Sequence, residues 1–149
     1  MAKEIERKFL LTNDFSFPFV GSSLIKQGYI FSEKGKQIRI RLYKDKAILC
    51  LKYGSGLVRD EYEYEVPFKD GIEIYKKCTT TLEKFRNTKV IGKEHYDFDT
   101  YPNGIEIVEV EFKSENDMNK WVKPKFIGRE ITGMKKYSNI ILAKENLKF

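Results

Sequence analysis

The feature that most constrains this chain is a strict alternation of charged and apolar residues along several short segments. Residues 37–42 and 60–66 are the clearest examples: Arg39 and Arg41 alternate with isoleucine and leucine, and Glu61, Glu63 and Glu65 alternate with tyrosine and valine. A period of two places every second side chain on one face of a β-strand, whereas a helix would require a period of 3.6. The alternation therefore predicts strands with one charged face and one apolar face.

Eight segments are predicted as strands, with mostly short connections between them. They comprise residues 4–11, 24–31, 37–42, 47–53, 60–66, 82–91, 94–101 and 105–112. Residues 44–46 and 102–104 are predicted turns. Short helices are predicted at residues 70–77, 114–121 and 137–146. This pattern favours an antiparallel barrel or sandwich, and because no linker divides the chain we expect one domain over residues 1–149.

The composition leaves three classes of partner open. A net charge of +6 suits nucleic acid, an anionic membrane or a polyanionic small molecule. Nucleic acid is disfavoured because the bases alternate with acids instead of forming a stripe with stacking aromatics. No apolar run approaches the roughly 20 residues of a membrane-spanning helix, and the N-terminus lacks a secretion signal. We therefore expect a cytoplasmic protein that binds neither nucleic acid nor membrane.

The cysteines give no metal or redox motif. Cys50 and Cys78 do not form a CxxC pair, and His95, the one histidine, cannot complete a zinc site with them. We expect two free thiols, since structural disulfides are rare in the cytoplasm. His95 is assigned no role, and Trp121 is expected to pack.

The charges of each strand fall on one parity, which is the main functional signal. They group as Glu4, Glu6 and Lys8; Arg39 and Arg41; Glu61, Glu63 and Glu65; Lys84 and Arg86; Asp97 and Asp99; Glu109 and Glu111. The usual interpretation of such a face is exposure to solvent. The alternative is that these faces converge inside a closed barrel, where acids and bases together are costly unless ligands and metals satisfy them.

An ordered series of motifs resembles the CYTH superfamily, whose members are also called triphosphate tunnel metalloenzymes. The N-terminal ExExK signature alone is a weak match, but eight elements in the same order cover most of the chain. They are ExExK at residues 4–8, QGY at 27–29, RxR at 39–41, a strand lysine at 52, RxExE at 59–63, KxR at 84–86, paired acids at 97–99 and 109–111, and a C-terminal segment at 128–132 and 137–139.

The resemblance implies a mainly β (α+β) fold, an eight-stranded antiparallel β-barrel forming a polar tunnel, with a few short helices outside and at the C-terminus. The implied activity is divalent-metal-dependent hydrolysis of inorganic tripolyphosphate. The implied phosphate-binding residues are Lys8, Arg39, Arg41, Lys52, Lys84 and Arg86. The implied ligands of one or two Mg²⁺ or Mn²⁺ ions are Glu4, Glu6, Glu61, Glu63, Asp99, Glu109 and Glu111. Lys8 and Tyr29 resemble a pair linked to triphosphate hydrolysis in short bacterial members.

Several alternatives stay open at this point. A class IV-type adenylyl cyclase, a thiamine or nucleoside triphosphatase, and a non-catalytic module that binds triphosphate or polyphosphate would use similar residues. Inward carboxylates disfavour the binding module, since an anion binder gains nothing from them without metal. Tyr29 could instead be a packing aromatic. The role of Asp97 is open, Lys136 is a better candidate than Lys135 for closing the tunnel, and the oligomeric state could be a monomer or a homodimer.

Overall fold

The computed structural model describes residues 3–16, 20–145 and 148–149, and this part of the chain forms nine strands, three α-helices and one 3₁₀ turn. The strands are β1 Lys3–Leu11, β2 Ser23–Glu33, β3 Lys36–Tyr43, β4 Lys46–Tyr53, β5 Val58–Val66, β6 Thr80–Ile91, β7 Glu94–Thr100, β8 Glu106–Glu111 and β9 Ile127–Glu130. The helices are α1 Phe68–Lys77, α2 Glu115–Lys120 and α3 Asn139–Ala143, and the 3₁₀ turn is Lys135–Tyr137. All eight predicted strands are therefore present.

The strands form one antiparallel sheet that curls into a ring. Their order is β5-β4-β3-β2-β6-β7-β8-β1, and β1 pairs in turn with β5. Three residue pairs make this closing contact, from Lys3 opposite Asp60 to Ile5 opposite Val58. The predicted mainly β fold with barrel-like closure is confirmed.

Strand β9 is the element that the sequence analysis missed. It pairs with the second half of β1, where Leu11 lies opposite Ile127, and it occupies the edge that β5 leaves free. Of its four residues only Ile127 is buried. A strand this short, without alternation, carries no periodic signal in the sequence.

The C-terminal helix is also shorter than predicted. The 3₁₀ turn and α3 are separated at Ser138, whose backbone is extended and whose Oγ accepts a hydrogen bond from the backbone N–H of Ile141 at 3.4 Å. This serine interrupts the predicted helix of residues 137–146, whose last residue, Asn146, lies outside the described part. Ser114 caps α2 as expected, accepting from the backbone N–H of Asp117 at 3.0 Å.

The apolar residues form two clusters, and one of them lies inside the ring. The outer cluster packs β1, β7 and β8 against α2, and there Trp121 donates to the Tyr96 hydroxyl at 2.9 Å. The inner cluster contains Leu82 and Ile107, two residues before Lys84 and Glu109 on the same strand faces, and it packs against α3. Apolar residues thus fill one end of the ring, which leaves the charged residues nearer the other end.

Two further predictions can be compared directly with the structure. Cys50 and Cys78 are both free thiols, the first buried and the second half-buried, as expected. Within the described residues, no helix combines the length and the apolar character needed to cross a membrane.

Candidate functional site

A cavity of about 250 Å³ inside the ring gathers most of the charged residues that the sequence singled out. Every predicted phosphate- or metal-binding residue lines it except Lys84 and Asp99, and Tyr29 does not line it either. Most of the charged side chains therefore point inward, and the solvent-exposed interpretation is wrong for those; Glu63 and Glu111 line an exposed part of the cavity, and Glu65 lies outside it in solvent. The lining side chains are Glu4, Glu6, Lys8, Gln37, Arg39, Arg41, Lys52, Arg59, Glu61, Glu63, Arg86, Asp97, Glu109, Glu111, Ser138, Asn139 and Ile140.

The two signs of charge occupy different parts of this central cavity. The strands β5, β1, β8 and β7 are neighbours in the ring, as are β4, β3, β2 and β6. We call the first group's carboxylates, Glu4, Glu6, Glu61, Glu63, Asp97, Glu109 and Glu111, the acidic wall. We call the second group's cations, Arg39, Arg41, Lys52 and Arg86, the basic wall. Of the cations on the strands of the acidic wall, Lys8 and Arg59 are the two that line the cavity.

Carboxylates crowd one another on the acidic wall. Burial raises the pKa of Glu6 to about 8, and the charges of Glu109 and Glu4 add to the effect. Burial likewise raises the pKa of Glu61 to about 7, with Lys52 opposing and Glu4 adding to the rise. Burial and the neighbouring Asp97 raise the pKa of Glu111. Such a wall favours a bound cation, since a positive charge among these groups would stabilise their ionised forms.

The acids of this wall also contact cations, and among these contacts Lys52 lies 3.2 Å from Glu61 and Arg59 lies 3.5 Å from Glu6. Glu4 contacts Lys52 at 3.0 Å and Arg59 at 2.8 Å, and these two charges overcome burial and lower the pKa of Glu4 to about 2. Glu109 lies 3.7 Å from both Lys8 and Arg86. Arg59 was not assigned a role from the sequence. The available signal was its parity, which it shares with Glu61 in the RxExE element.

The arginines of β3 differ, because within residues 3–16, 20–145 and 148–149 neither makes an ion pair with a carboxylate. Arg41 donates from Nε to the Oε1 of Gln27 at 3.0 Å, and burial with the charges of Arg39 and Arg86 lowers its pKa to about 10. The Nε of Arg39 is buried without a hydrogen-bond partner in the same residues. Arg39 is buried and Arg41 is half-buried, and two such guanidiniums without an ion-pair partner make a strong site for an anion.

Lys84 and Asp99 lie behind the cavity surface, both fully buried. Arg86 donates to both carboxylate oxygens of Asp99 at 2.7 Å, and the Lys84 ammonium lies 2.9 Å from the same carboxylate. Although burial opposes it, the pKa of Asp99 is lowered by Arg86 and Lys84. Burial and the charge of Arg86 lower the pKa of Lys84 to about 7. Metal binding by Asp99 and phosphate binding by Lys84 stay predictions, and each would require a change of these partners.

Tyr29 lies on β2 between β3 and β6, so no hairpin pairing of β1 with β2 places it beside Lys8 on β1. Residues 12–22 separate the two strands in the sequence, more than a tight hairpin turn contains. Tyr29 is buried in the inner apolar cluster, and its hydroxyl accepts a hydrogen bond from Gln27 Nε2 at 3.3 Å. A packing role is therefore evident, and its catalytic role stays a prediction.

The acidic wall fits a divalent cation. The Oε2 of Glu61 and the Oε1 of Glu109 are buried and face lysine ammoniums, Lys52 at 3.2 Å and Lys8 at 3.7 Å, which a metal ion would have to displace. Ligand atoms of Glu61, Glu63 and Cys50 lie within 4.8 Å of one another. Carboxylate oxygens are the hard ligands that Mg²⁺ and Mn²⁺ prefer. The residues positioned to hold such an ion are Glu4, Glu6, Glu61, Glu63, Glu109 and Glu111.

A second cavity of about 320 Å³ shares Glu6, Lys8, Arg59 and Ser138 with the first. Lys135 lines this cavity, whereas the ammonium of Lys136 lies 4.9 Å from the ring centroid of the neighbouring Tyr137. Of the two lysines, Lys135 therefore lies beside the residues that the two cavities share. Asp97 lines the central cavity and lies 3.3 Å from Arg86.

Comparison with known proteins agrees with this geometry. No protein-family model matches the chain. The chain is 38% identical to an inorganic triphosphatase from Acetivibrio thermocellus, over 99% of this chain and 97% of that protein. It is 28% identical to an inorganic triphosphatase from Nitrosomonas europaea, over 94% and 96%. The crystal structure of the inorganic triphosphatase NE1496 matches with a TM-score of 0.62 and 26% identity, over 96% of this chain and 95% of that chain.

The ring of strands, the two walls and these relatives define a class of protein. The chain belongs to the CYTH superfamily, the triphosphate tunnel metalloenzymes. The similarity to the Acetivibrio protein extends over nearly the full length of both chains, so within the superfamily the family is that of the inorganic triphosphatases.

Proposed function

We propose that this protein hydrolyses inorganic tripolyphosphate to pyrophosphate and phosphate, with Mg²⁺ or Mn²⁺ bound at the acidic wall. The observation that carries the proposal is the separation of an acidic and a basic wall within one cavity. The relatives named inorganic triphosphatase support the choice of substrate.

Both walls are needed to explain the balance of charge in the cavity. Six lining bases, Lys8, Arg39, Arg41, Lys52, Arg59 and Arg86, stand against the seven carboxylates of the acidic wall. A polyanion alone would be repelled by those carboxylates, and a metal ion alone would be repelled by the bases. A metal ion and a triphosphate together satisfy both sets. When bound, the ion would neutralise phosphate charge and orient or activate the attacking water.

The basic wall would hold the phosphate groups. Arg39 and Arg41 are available without breaking an ion pair, and each guanidinium can donate two parallel hydrogen bonds to phosphate oxygens. A cation about 4 Å from one phosphate charge contributes on the order of 4 kcal/mol at an effective dielectric constant near 20, before desolvation. Lys52 and Arg86 would exchange a carboxylate for phosphate. Lys8, beside Glu109, would contact a phosphate at the acidic wall.

The test is release of phosphate from tripolyphosphate, ATP and thiamine triphosphate, each with Mg²⁺, Mn²⁺ or Ca²⁺, with the products separated by chromatography. We expect the highest kcat/KM with tripolyphosphate and with Mg²⁺ or Mn²⁺. Formation of cyclic AMP from ATP without hydrolysis of tripolyphosphate would contradict the proposal and favour a cyclase. Tight binding of tripolyphosphate without turnover under any condition would favour a binding module.

A further inference from the structure

Asn139, the first residue of α3, lies where the C-terminal segment meets the central cavity. Its side-chain Oδ1 accepts two hydrogen bonds, one from Tyr101, the residue after β7, and one from Lys84 on β6. The Tyr101 hydroxyl donates at 2.7 Å, and the Lys84 ammonium donates at 3.3 Å. Two buried side chains therefore hold the amide through its oxygen.

These partners fix which way the amide points. An ammonium group can only donate, so the atom facing Lys84 must be the oxygen and not the NH₂ group. Burial raises the pKa of Tyr101 well above its ordinary value, with the charge of Asp99 adding to the rise, so its hydroxyl stays protonated and can donate to the same oxygen. The Nδ2 group has no hydrogen-bond partner within residues 3–16, 20–145 and 148–149.

The neighbours of Asn139 on this segment cannot supply the same group. The Ser138 hydroxyl donates to the backbone carbonyl of Lys135 at 2.7 Å and accepts from the backbone N–H of Ile141. Ile140 lines the cavity with an apolar side chain. Of the three residues of this segment that line the cavity, Asn139 is thus the one with uncommitted donors.

We propose that Asn139 is a triphosphate-binding residue, whose NH₂ group donates to a phosphate oxygen in the central cavity, and that Tyr101 is a positioning residue that acts through it. The proposal rests on the proposed function, because it takes the phosphate chain as the ligand. A neutral donor adds a directed contact to the phosphate chain without further charge repulsion among the buried bases. It also gives the C-terminal segment a direct part in recognising the substrate.

The test is calorimetric binding of diimidotriphosphate, whose P–N–P bridges resist hydrolysis, in the presence of Mg²⁺. Asn139→Asp is the decisive variant, because its carboxylate still accepts from Tyr101 and Lys84 but presents an anion to the phosphate. We expect affinity to fall on the order of 100-fold in Asn139→Asp and about tenfold in Asn139→Ala. Tyr101→Phe, which leaves the ring packed but frees the amide, should weaken binding about threefold.

Asn119→Asp makes the same change of charge at an exposed position of α2 and serves as the matched control. Its affinity should equal that of the wild type. If Asn139→Asp binds as tightly as Asn119→Asp while melting normally, Asn139 has only a structural role and the inference is overturned. If the wild type itself does not bind the analogue, the proposed function fails together with the inference, so the two failures are distinguishable.

Discussion

The acidic and basic walls of the central cavity differ in how their charges are compensated. Arg39 and Arg41 make no ion pair with a described carboxylate, whereas Glu4 and Glu109 each contact two cations. An incoming phosphate can therefore bind the arginines of β3 directly. A metal ion bound as proposed would compete with lysine and arginine for part of the acidic wall. A bound triphosphate would then favour metal binding, because it would offer the displaced cations a new partner.

The largest effect should follow from removing the open arginines. Arg39→Ala or Arg41→Ala should lower kcat/KM for tripolyphosphate by about 100- to 1,000-fold, since each removes a buried charge-assisted contact to the phosphate chain. Steady-state kinetics measure this loss. Lys34→Ala is the control, because Lys34 is an exposed cation in the turn between β2 and β3. Equal losses at Lys34 and Arg39 would mean that diffuse surface charge, and not the basic wall, attracts the substrate.

A smaller effect should separate the acidic wall from other acids on the same strand. Glu61→Gln should raise the Mn²⁺ concentration for half-maximal rate by at least about tenfold, the loss typical even of groups that only orient a metal ligand. Glu65→Gln is the matched control, since Glu65 has the same parity on β5 but is 58% exposed and faces Lys46. A similar change in both variants would show that the acidic wall has no special affinity for the metal.

The crowding of carboxylates should appear as pH-dependent stability of the metal-free protein. The pKa of Glu6 is raised from 4.5 to about 8 by burial, Glu109 and Glu4, so its ionisation destabilises the fold as pH rises from about 4.5 to 8. Glu6→Gln cannot ionise. We expect both proteins to melt alike at pH 4, below the unfolded pKa of Glu6, and the variant to melt on the order of 5 °C higher at pH 9. A difference in melting temperature that does not depend on pH would contradict the raised pKa of Glu6. Added Mg²⁺ should make the difference at pH 9 smaller.

The smallest effect should come from Tyr29, which lies outside both walls. Tyr29→Phe keeps the ring in the inner cluster and removes only the hydroxyl that Gln27 contacts. Because Gln27 also holds Arg41, we expect the ratio of kcat/KM for tripolyphosphate over ATP to fall about threefold, the worth of one modest hydrogen bond. The melting temperature is measured alongside. If the ratio of kcat/KM values is unchanged and the melting temperature falls, Tyr29 has only a packing role.

The alternation predicted the strands and their charged faces, because a period of two depends only on neighbouring residues in the sequence. It does not tell whether a side chain on such a face lines the cavity or lies behind its surface. Lys84 and Arg86 share a parity, yet Lys84 lies behind the cavity surface and Arg86 lines it. The same limit applies to Asp97 and Asp99, of which only Asp97 reaches the cavity. Depth depends on how far α3 and the inner apolar cluster extend into the ring, which no single strand specifies.

The remaining misses come from contacts between segments distant in the chain. Strand β9 is held by β1, more than 100 residues away, and four residues without alternation give no local signal. Asn139 reaches the cavity only because Tyr101 and Lys84 hold its side chain. Arg59 belongs to the RxExE motif, but its role could not be predicted from the sequence. Its contacts with Glu4 and Glu6 depend on the closure of β1 against β5.

The most direct test of the two-wall site is metal removal followed by back-titration. Wild-type protein is dialysed against chelator, its metal content is checked by elemental analysis, and phosphate release from tripolyphosphate is followed as Mg²⁺ or Mn²⁺ is added. We expect no turnover in excess chelator and full recovery on adding either ion, because the acidic wall repels the substrate until a cation is bound. Undiminished turnover in chelator, with removal of metal verified, would contradict the division of the cavity into a metal-binding and a phosphate-binding wall.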